Sequence, residues 1–156
     1  MLERVQIKNY YLEEQKIFSA LRKAGLAVSA VYDVGSSHGI WSSAVSRVFP
    51  SAEFFLFEPL FDFKPDYRKH YAKAINVRRN FHLFRIALGE EDGETKLFSD
   101  PVGYGASILL TQPSEYFPEE YVVALNRLDT IVAKHGLAAP EILKLDTQGA
   151  ELQILQ

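Results

Sequence analysis

Short apolar runs alternate with amphipathic stretches along most of this chain. Apolar and β-branched runs predict strands over residues 28–34, 54–57, 81–88, 121–128 and 141–145. Apolar residues at helical spacing predict helices over residues 10–24, 40–49 and 65–75, with shorter helices capped by Asp129 and following Gly149. This alternation is typical of an α/β domain with a mostly parallel sheet and flanking helices.

The first strand leads directly into a glycine turn and a helix. Residues 31–39 read Val-Tyr-Asp-Val-Gly-Ser-Ser-His-Gly, which places Asp33 just before Gly35. In an α/β sheet, the carboxyl end of such a strand lies at the ligand crevice, where glycine permits close approach and helix amides face the ligand. The turn therefore predicts a nucleotide-binding entrance, although it lacks both the dinucleotide fingerprint and the Gly-Lys-Ser/Thr phosphate loop.

An acidic residue follows the second strand. Residues 53–59 read Glu-Phe-Phe-Leu-Phe-Glu-Pro, so Glu58 stands at the tip of that strand. A carboxylate there has two oxygens that can accept both hydroxyl protons of a ribose. Because parallel strands end at one edge of a sheet, we expect Gly35, Glu58, Ala87 and Asp146 to meet there.

Composition narrows the class of protein. The chain has 156 residues, 47% of them hydrophobic, which suits one globular domain with a core. The chain has no cysteine, so we predict no disulfide and no thiolate metal site. It has no long apolar run, so we predict no membrane-spanning helix and a cytoplasmic location. The four histidines are scattered, and we predict no metal site.

Charge is unevenly distributed along the chain. Residues 64–85 contain seven Lys or Arg and one acid, although the net charge is −3. A solvated helix face explains such a segment, and attraction of an anionic substrate or of nucleic acid is the alternative. The absence of an overall basic excess argues against nucleic acid as a partner.

Five sequence blocks, in order, resemble the FkbM family of S-adenosylmethionine-dependent methyltransferases. The blocks are Asp33-Val-Gly-Ser-Ser-His-Gly39, Phe57-Glu-Pro59, Ala87-Leu-Gly89, Arg127-Leu-Asp-Thr130 and Leu143-Lys-Leu-Asp-Thr-Gln-Gly-Ala-Glu151. The closing Lys-x-Asp-x-x-Gly-x-Glu run is much more specific than the glycine turn. The resemblance implies a Rossmann-like, doubly wound fold with S-adenosylmethionine as cofactor.

The resemblance also implies cofactor contacts. Asp33, Gly35 and Ser37 are expected along the methionine and ribose parts of the cofactor, and Gly39 completes this cofactor-binding block. Glu58 is expected to hold the ribose hydroxyls. We also expect Ala87 to lie beside the adenine.

Asp146 is expected to face the methionine end of the cofactor and the acceptor. It is our first candidate for the catalytic base, and His38 and Lys144 are the alternatives. Two positions depart from the usual family pattern, since Ser37 stands where Asn is usual and Gln148 where Glu is frequent. The second departure weakens any catalytic or metal-binding role at position 148.

The activity implied is methyl transfer to oxygen of a small-molecule, sugar or lipid-like acceptor. In such a reaction the protein mainly holds an activated methyl group in line with its nucleophile. One alternative is a non-catalytic module that binds a nucleoside cofactor. The other is an NAD-dependent oxidoreductase, which explains Gly35 and Glu58 but not the run from Asp146 to Glu151.

We predict a single domain over residues 1–156, with a leading helix in residues 1–27 and a cofactor-binding core in residues 28–156. Compared with a complete methyltransferase of this architecture, the sequence stops one turn into the last helix, so we expect a domain truncated at its C-terminus. The strand at residues 141–145 would then expose an apolar edge. Such an edge predicts a homo-oligomer or another partner chain.

Overall fold

A computed structural model describes residues 11–74, 79–103 and 105–156. The helices in these ranges are α1 (Leu12–Lys23), α2 (Ile40–Val45), α3 (Pro65–Ala74), α4 (Leu128–His135) and α5 (Glu151–Ile154). The strands are β1 (Ala30–Val34), β2 (Glu53–Phe57), β3 (Phe81–Phe84), β4 (Ala87–Leu88), β5 (Gly93–Ser99), β6 (Ala106–Ser107), β7 (Glu119–Asn126) and β8 (Ile142–Leu145). The predicted α/β class is confirmed.

A parallel sheet with the strand order β3, β2, β1, β8 forms the centre of the fold. Its register places the strand ends in one row, because Val34 pairs with both Phe57 and Leu145, and Phe57 pairs with Phe84. The chain therefore leaves β1, β2 and β8 at the same edge. This is the edge at which parallel sheets place their ligands.

Both faces of the parallel sheet are covered. Successive side chains of β1 alternate between two core clusters, with Val31 in one and Tyr32 in the other. The Val31 cluster includes Trp41 from α2 and Tyr67 from α3, whereas the Tyr32 cluster includes Ile131 from α4. The predicted doubly wound arrangement with flanking helices is thus confirmed.

A second sheet, with the order β4, β7, β5, β6, contributes to the Val31 cluster. The strand predicted over residues 81–88 is wrong in this respect, because the chain leaves the parallel sheet after Phe84 and Ala87 pairs with Leu125 of β7 instead. The chain reverses direction between β4 and β5. This reversal is not a hairpin, since β7 lies between the two strands.

Helix α1 packs on the rest of the chain mainly through one aromatic ring. Its Phe18 ring meets Trp41 and Phe49 edge-on, with 6.2 Å between ring centroids in both pairs. None of its residues is fully buried, and Ile17 is 58% exposed. The helix therefore lies against the α2 region, and the predicted start at residue 10 falls outside the described residues.

The cap of α4 also differs from the prediction. The helix begins at Leu128, so that Asp129 lies in its first turn and is not the cap. Asp92, from the turn before β5, instead accepts hydrogen bonds from Arg127 N at 2.9 Å and Thr130 Oγ1 at 2.8 Å. The carboxylate at the start of α4 is therefore that of Asp92, from a turn distant in sequence, and not that of Asp129, which the sequence predicts.

Strand β8 forms one edge of the parallel sheet in the part of the chain that the structure describes. Leu143 of β8 is 37% exposed, and Leu152 of α5 is 68% exposed. Within the same ranges, no helix is long and apolar enough to cross a membrane. Self-association through the β8 edge stays a prediction.

We expect the average mass of the chain in solution to rise with concentration, because an open strand edge beside apolar side chains favours pairing. Leu152→Lys should shift this mass toward that of the monomer, as measured by multi-angle light scattering. Ile17→Lys, at a similarly exposed apolar position on α1, should leave the mass unchanged. Equal masses for the wild type and Leu152→Lys would exclude association through this edge.

Glu141 joins the start of β8 to the start of β1. Its carboxylate accepts hydrogen bonds from Ala30 N at 2.9 Å and from both Ser29 N and Ser29 Oγ at 2.8 Å. These bonds, the one from Ala30 N first, lower the pKa of Glu141 from 4.5 to about 2. The Glu141 carboxylate therefore stays ionised at acidic pH and keeps its hydrogen bonds to Ser29 and Ala30 there.

We predict that this carboxylate adds to stability above about pH 4.5 and that its contribution disappears as pH falls toward about 2, because the unfolded state takes up the proton first. Glu141→Gln should flatten this part of the stability profile, measured by denaturant unfolding across acidic pH. Glu94→Gln, at an exposed position on β5, is the control. A profile for Glu141→Gln that parallels the wild type would contradict the prediction.

Candidate active site

A cavity opens at the edge where β1, β2 and β8 end. Ligand sites of α/β sheets lie preferentially at such an edge. Five of the seven residues predicted as cofactor-binding line this cavity, namely Gly35, Ser37, Glu58, Ala87 and Asp146. The structure thus brings together the strand ends that sequence analysis expects to meet.

The other two predicted residues lie beneath the turn. Asp33 is fully buried, and its carboxylate accepts hydrogen bonds from Ser42 Oγ at 2.6 Å and Lys144 Nζ at 3.1 Å. Gly39 precedes α2 with a φ of 70° and lies against Tyr71 and Leu56. Both positions support the turn, and their direct contact with a cofactor stays a prediction.

Gly35 is required by the contact between two strand ends. Its φ is 71°, and a Cβ atom there would lie 2.1 Å from the main-chain oxygen of Asp146. Lys144 Nζ also donates to the oxygen of Gly35 at 3.3 Å. Any side chain at position 35 would push β1 and β8 apart at the cavity.

Glu58 presents a buried carboxylate at the cavity, with 5% of the residue exposed. Its Oε2 accepts a hydrogen bond from Ser37 N at 2.7 Å, and its Oε1 accepts one from Leu60 N at 2.9 Å. Burial raises the pKa of Glu58 to about 7, although these two bonds lower it. Each oxygen retains acceptor capacity, so the group can receive two hydroxyl donors.

Lys144 joins the ends of β1 and β8 through its ammonium group. Its Nζ lies 3.1 Å from Asp33 Oδ1 and 3.6 Å from Asp146 Oδ2. Burial lowers the pKa of Lys144, but the two carboxylates, Asp33 first, outweigh it and leave the pKa raised. A lysine that keeps its proton is a poor base, so the geometry favours Asp146, whose side chain is 57% exposed at the cavity.

His38, the other alternative base, is packed into the turn. It is 6% exposed, its Nδ1 lies 2.9 Å from Ser37 Oγ, and its ring meets Tyr67 edge-on at 4.4 Å. Of the residues described, Ser37 and Tyr67 line the cavity and His38 does not. Its surroundings suit a packing role.

Two strained residues mark the cavity. Ser37 and Gln148 have left-handed backbones, with φ values of 48° and 56°, and both line the cavity. This conformation is costly for residues other than glycine, and such strain is common at functional sites. Asn tolerates it better than Ser, so the backbone gives a physical reason why Asn suits position 37.

Glu151 closes the turn after β8. Its carboxylate accepts hydrogen bonds from Thr147 N at 2.8 Å and Gly149 N at 2.9 Å. Main-chain N–H groups, that of Glu151 itself first and that of Thr147 second, lower the pKa of Glu151. The last residue of the closing sequence run therefore shapes the turn that carries Asp146 and Gln148.

The second sheet and its loops supply further lining residues. Leu97, Ala106 and Ile108 contribute apolar walls, and Gly103 lies beside Tyr67. No local motif indicates these positions, because they reach the cavity only through the pairing of β5 with β6 and β7. In the described ranges, no group of three or more His, Asp or Glu residues could hold a metal ion.

The sequence matches the methyltransferase FkbM domain family over residues 33–156. The crystal structure of methyltransferase FkbM from Methylobacillus flagellatus KT has the same fold, with a TM-score of 0.51 and 16% sequence identity. The alignment covers 88% of this chain and 32% of that one. No curated protein matches the chain. Since the family match extends over most of its length, the chain belongs to the FkbM methyltransferase domain family.

Proposed function

We propose that this chain is an S-adenosylmethionine-dependent methyltransferase that acts on a hydroxyl of a small-molecule, sugar or lipid-like acceptor. Membership of the family supports the methyltransferase class. The observation that carries the cofactor proposal is the buried Glu58 carboxylate, which lines the same cavity as the Gly35 turn. This arrangement suits a ligand with a ribose diol.

The lining residues fit the parts of S-adenosylmethionine, which supplies a methyl group already activated on a sulfonium. Glu58 offers an acceptor oxygen to each of two ribose hydroxyls. Ala87 and Leu97 provide apolar walls for a base, and Gly35 and Asp146 bound the cavity where the methionine end is expected. The chain then has to hold the acceptor in line and exclude water.

Asp146 is the proposed base for the acceptor hydroxyl. Its carboxylate lies at the cavity and is accessible to an acceptor. Lys144 fixes its position through the 3.6 Å contact with Oδ2. A base at this position would take the proton of the acceptor hydroxyl.

Family membership favours methyl transfer over the NAD-dependent alternative. The chain spans about a third of the length of the solved methyltransferase FkbM structure, and a binding module without turnover is the second candidate function. A small-molecule acceptor and a cytoplasmic location stay predictions from the sequence.

Glu58→Gln should weaken the binding of S-adenosylhomocysteine by about tenfold or more, because the amide cannot accept both ribose hydroxyls. For the wild type, affinity should fall as pH drops through about 7, since protonation removes acceptor capacity from Glu58. Calorimetric titration measures both effects, with Glu90→Gln as an exposed control and NADH as a competing ligand. Tighter binding of NADH, or affinity independent of Glu58, would contradict the proposed site.

Asp146→Asn should retain binding of S-adenosylhomocysteine within about threefold and lower methyl transfer by about 10²–10⁴-fold, the usual contribution of a general base. The measurement is transfer of a labelled methyl group to hydroxyl acceptors identified with the wild type. Unchanged turnover would exclude Asp146 as the base. A wild type that binds the ligand but methylates no acceptor would favour the binding module.

A further inference from the structure

Lys64 is a buried lysine outside the proposed chemistry. It is 6% exposed and lies between β2 and α3, in the segment that the sequence predicts as a solvated basic face. Its Nζ donates hydrogen bonds to the main-chain oxygens of Asp100 at 3.0 Å and Pro101 at 3.2 Å, and to the carboxylate of Glu119. All three donors of the ammonium group are therefore engaged.

The charge of Lys64 is compensated where it lies. Burial lowers its pKa, but the hydrogen bond to Glu119 and the contact with Tyr121 outweigh burial and leave the pKa raised. The ammonium also lies 5.2 Å from the centroid of the Tyr121 ring. A buried lysine with these partners stays protonated at neutral pH and holds its acceptors in place.

Residues 100–103, here named the roof loop, are held together by one side chain. Oδ1 of Asp100 accepts hydrogen bonds from Val102 N at 2.7 Å and from Gly103 N. A main-chain bond from Gly103 N to Asp100 O, at 3.2 Å, closes the same turn. The roof loop therefore has its own internal structure, and its contacts with the rest of the chain determine its position.

Two residues from the segment after β2 make those contacts. Lys64 binds the first two carbonyls of the roof loop, and the Tyr67 hydroxyl donates to the oxygen of Gly103. Gly103 and Tyr67 both line the cavity, as does Glu58 at the start of this segment. The Lys64 ammonium therefore connects the roof loop to the segment that begins at Glu58, the residue proposed to bind the ribose. The roof loop and this segment both border the cavity.

We propose that Lys64 is a positioning residue whose ammonium holds the roof loop in place and thereby sets the shape of the cavity for the adenosyl ligand. The identity of the ligand rests on the proposed function. Lys64 acts through main-chain carbonyls of the loop, so its loss changes the cavity without removing a lining side chain. A role in overall stability alone would leave ligand affinity and local loop protection unaffected.

The test compares Lys64→Met with Lys96→Met. Methionine keeps an unbranched stem and removes the ammonium in both variants. Lys96 pairs with Glu120 at 2.8 Å, next to the partner of Lys64, but its side chain is 60% exposed. Two quantities are measured on the full chain, namely amide hydrogen exchange without ligand and calorimetric affinity for S-adenosylhomocysteine.

Lys64 holds the main-chain oxygen of Asp100, whose side chain accepts hydrogen bonds from Val102 N and Gly103 N. In Lys64→Met we therefore expect these two amides to exchange about tenfold faster or more, while β5 and β7 keep their protection. We also expect affinity for S-adenosylhomocysteine to fall by about tenfold. Lys96→Met should change neither quantity. If Lys64→Met does not fold, Glu119→Gln must produce both changes relative to Glu120→Gln, because Glu119 holds the same ammonium.

Unchanged exchange in the roof loop would overturn the proposal, and so would faster exchange with unchanged affinity. Equal effects in Lys96→Met would also overturn it, since they would reflect general loss of charge. If the wild type does not bind S-adenosylhomocysteine, the proposed function fails. The exchange measurement then decides by itself whether Lys64 holds the loop.

Discussion

The close contact between the ends of β1 and β8 underlies the whole site. Gly35 allows this contact because no Cβ atom fits between it and the main chain of Asp146. Lys144 holds it by pairing with Asp33 at 3.1 Å beneath the turn. Breaking such a buried pair costs about 3–5 kcal/mol, because one charge is left without a partner. The turn and the proposed base therefore keep a fixed separation.

Two buried ionisable groups near the cavity, Glu58 and Lys64, are held by main-chain atoms. Glu58 receives two main-chain N–H groups, and Lys64 gives two of its hydrogen bonds to main-chain oxygens. Main-chain partners lie on a rigid framework and lose little freedom when they bind. Burial nevertheless disfavours the ionised form of Glu58. The position that prepares this carboxylate for a ligand therefore lowers the stability of the protein without ligand.

Sequence reasoning predicted the convergence at the cavity because the strands read as short apolar runs and parallel strands end together. Gly35, Glu58 and Asp146 each follow such a run and line the cavity, whereas Ala87 reaches the cavity from the second sheet. The same reasoning assigned residues 81–88 to one strand, since nothing local distinguishes Phe84 from Ala87. It also placed Lys64 among solvated basic residues, because its acceptors Asp100 and Glu119 are remote in sequence.

The sequence by itself determined the α/β class, the glycine turn after β1, the acid after β2 and the family, because periodicity and ordered motifs are local properties of the chain. Only the tertiary structure decided the second sheet, the burial of Lys64 and the capping of α4 by Asp92. These features depend on pairs of segments that meet only after folding. Their energies come from burial and hydrogen bonds between distant residues, which no local pattern encodes.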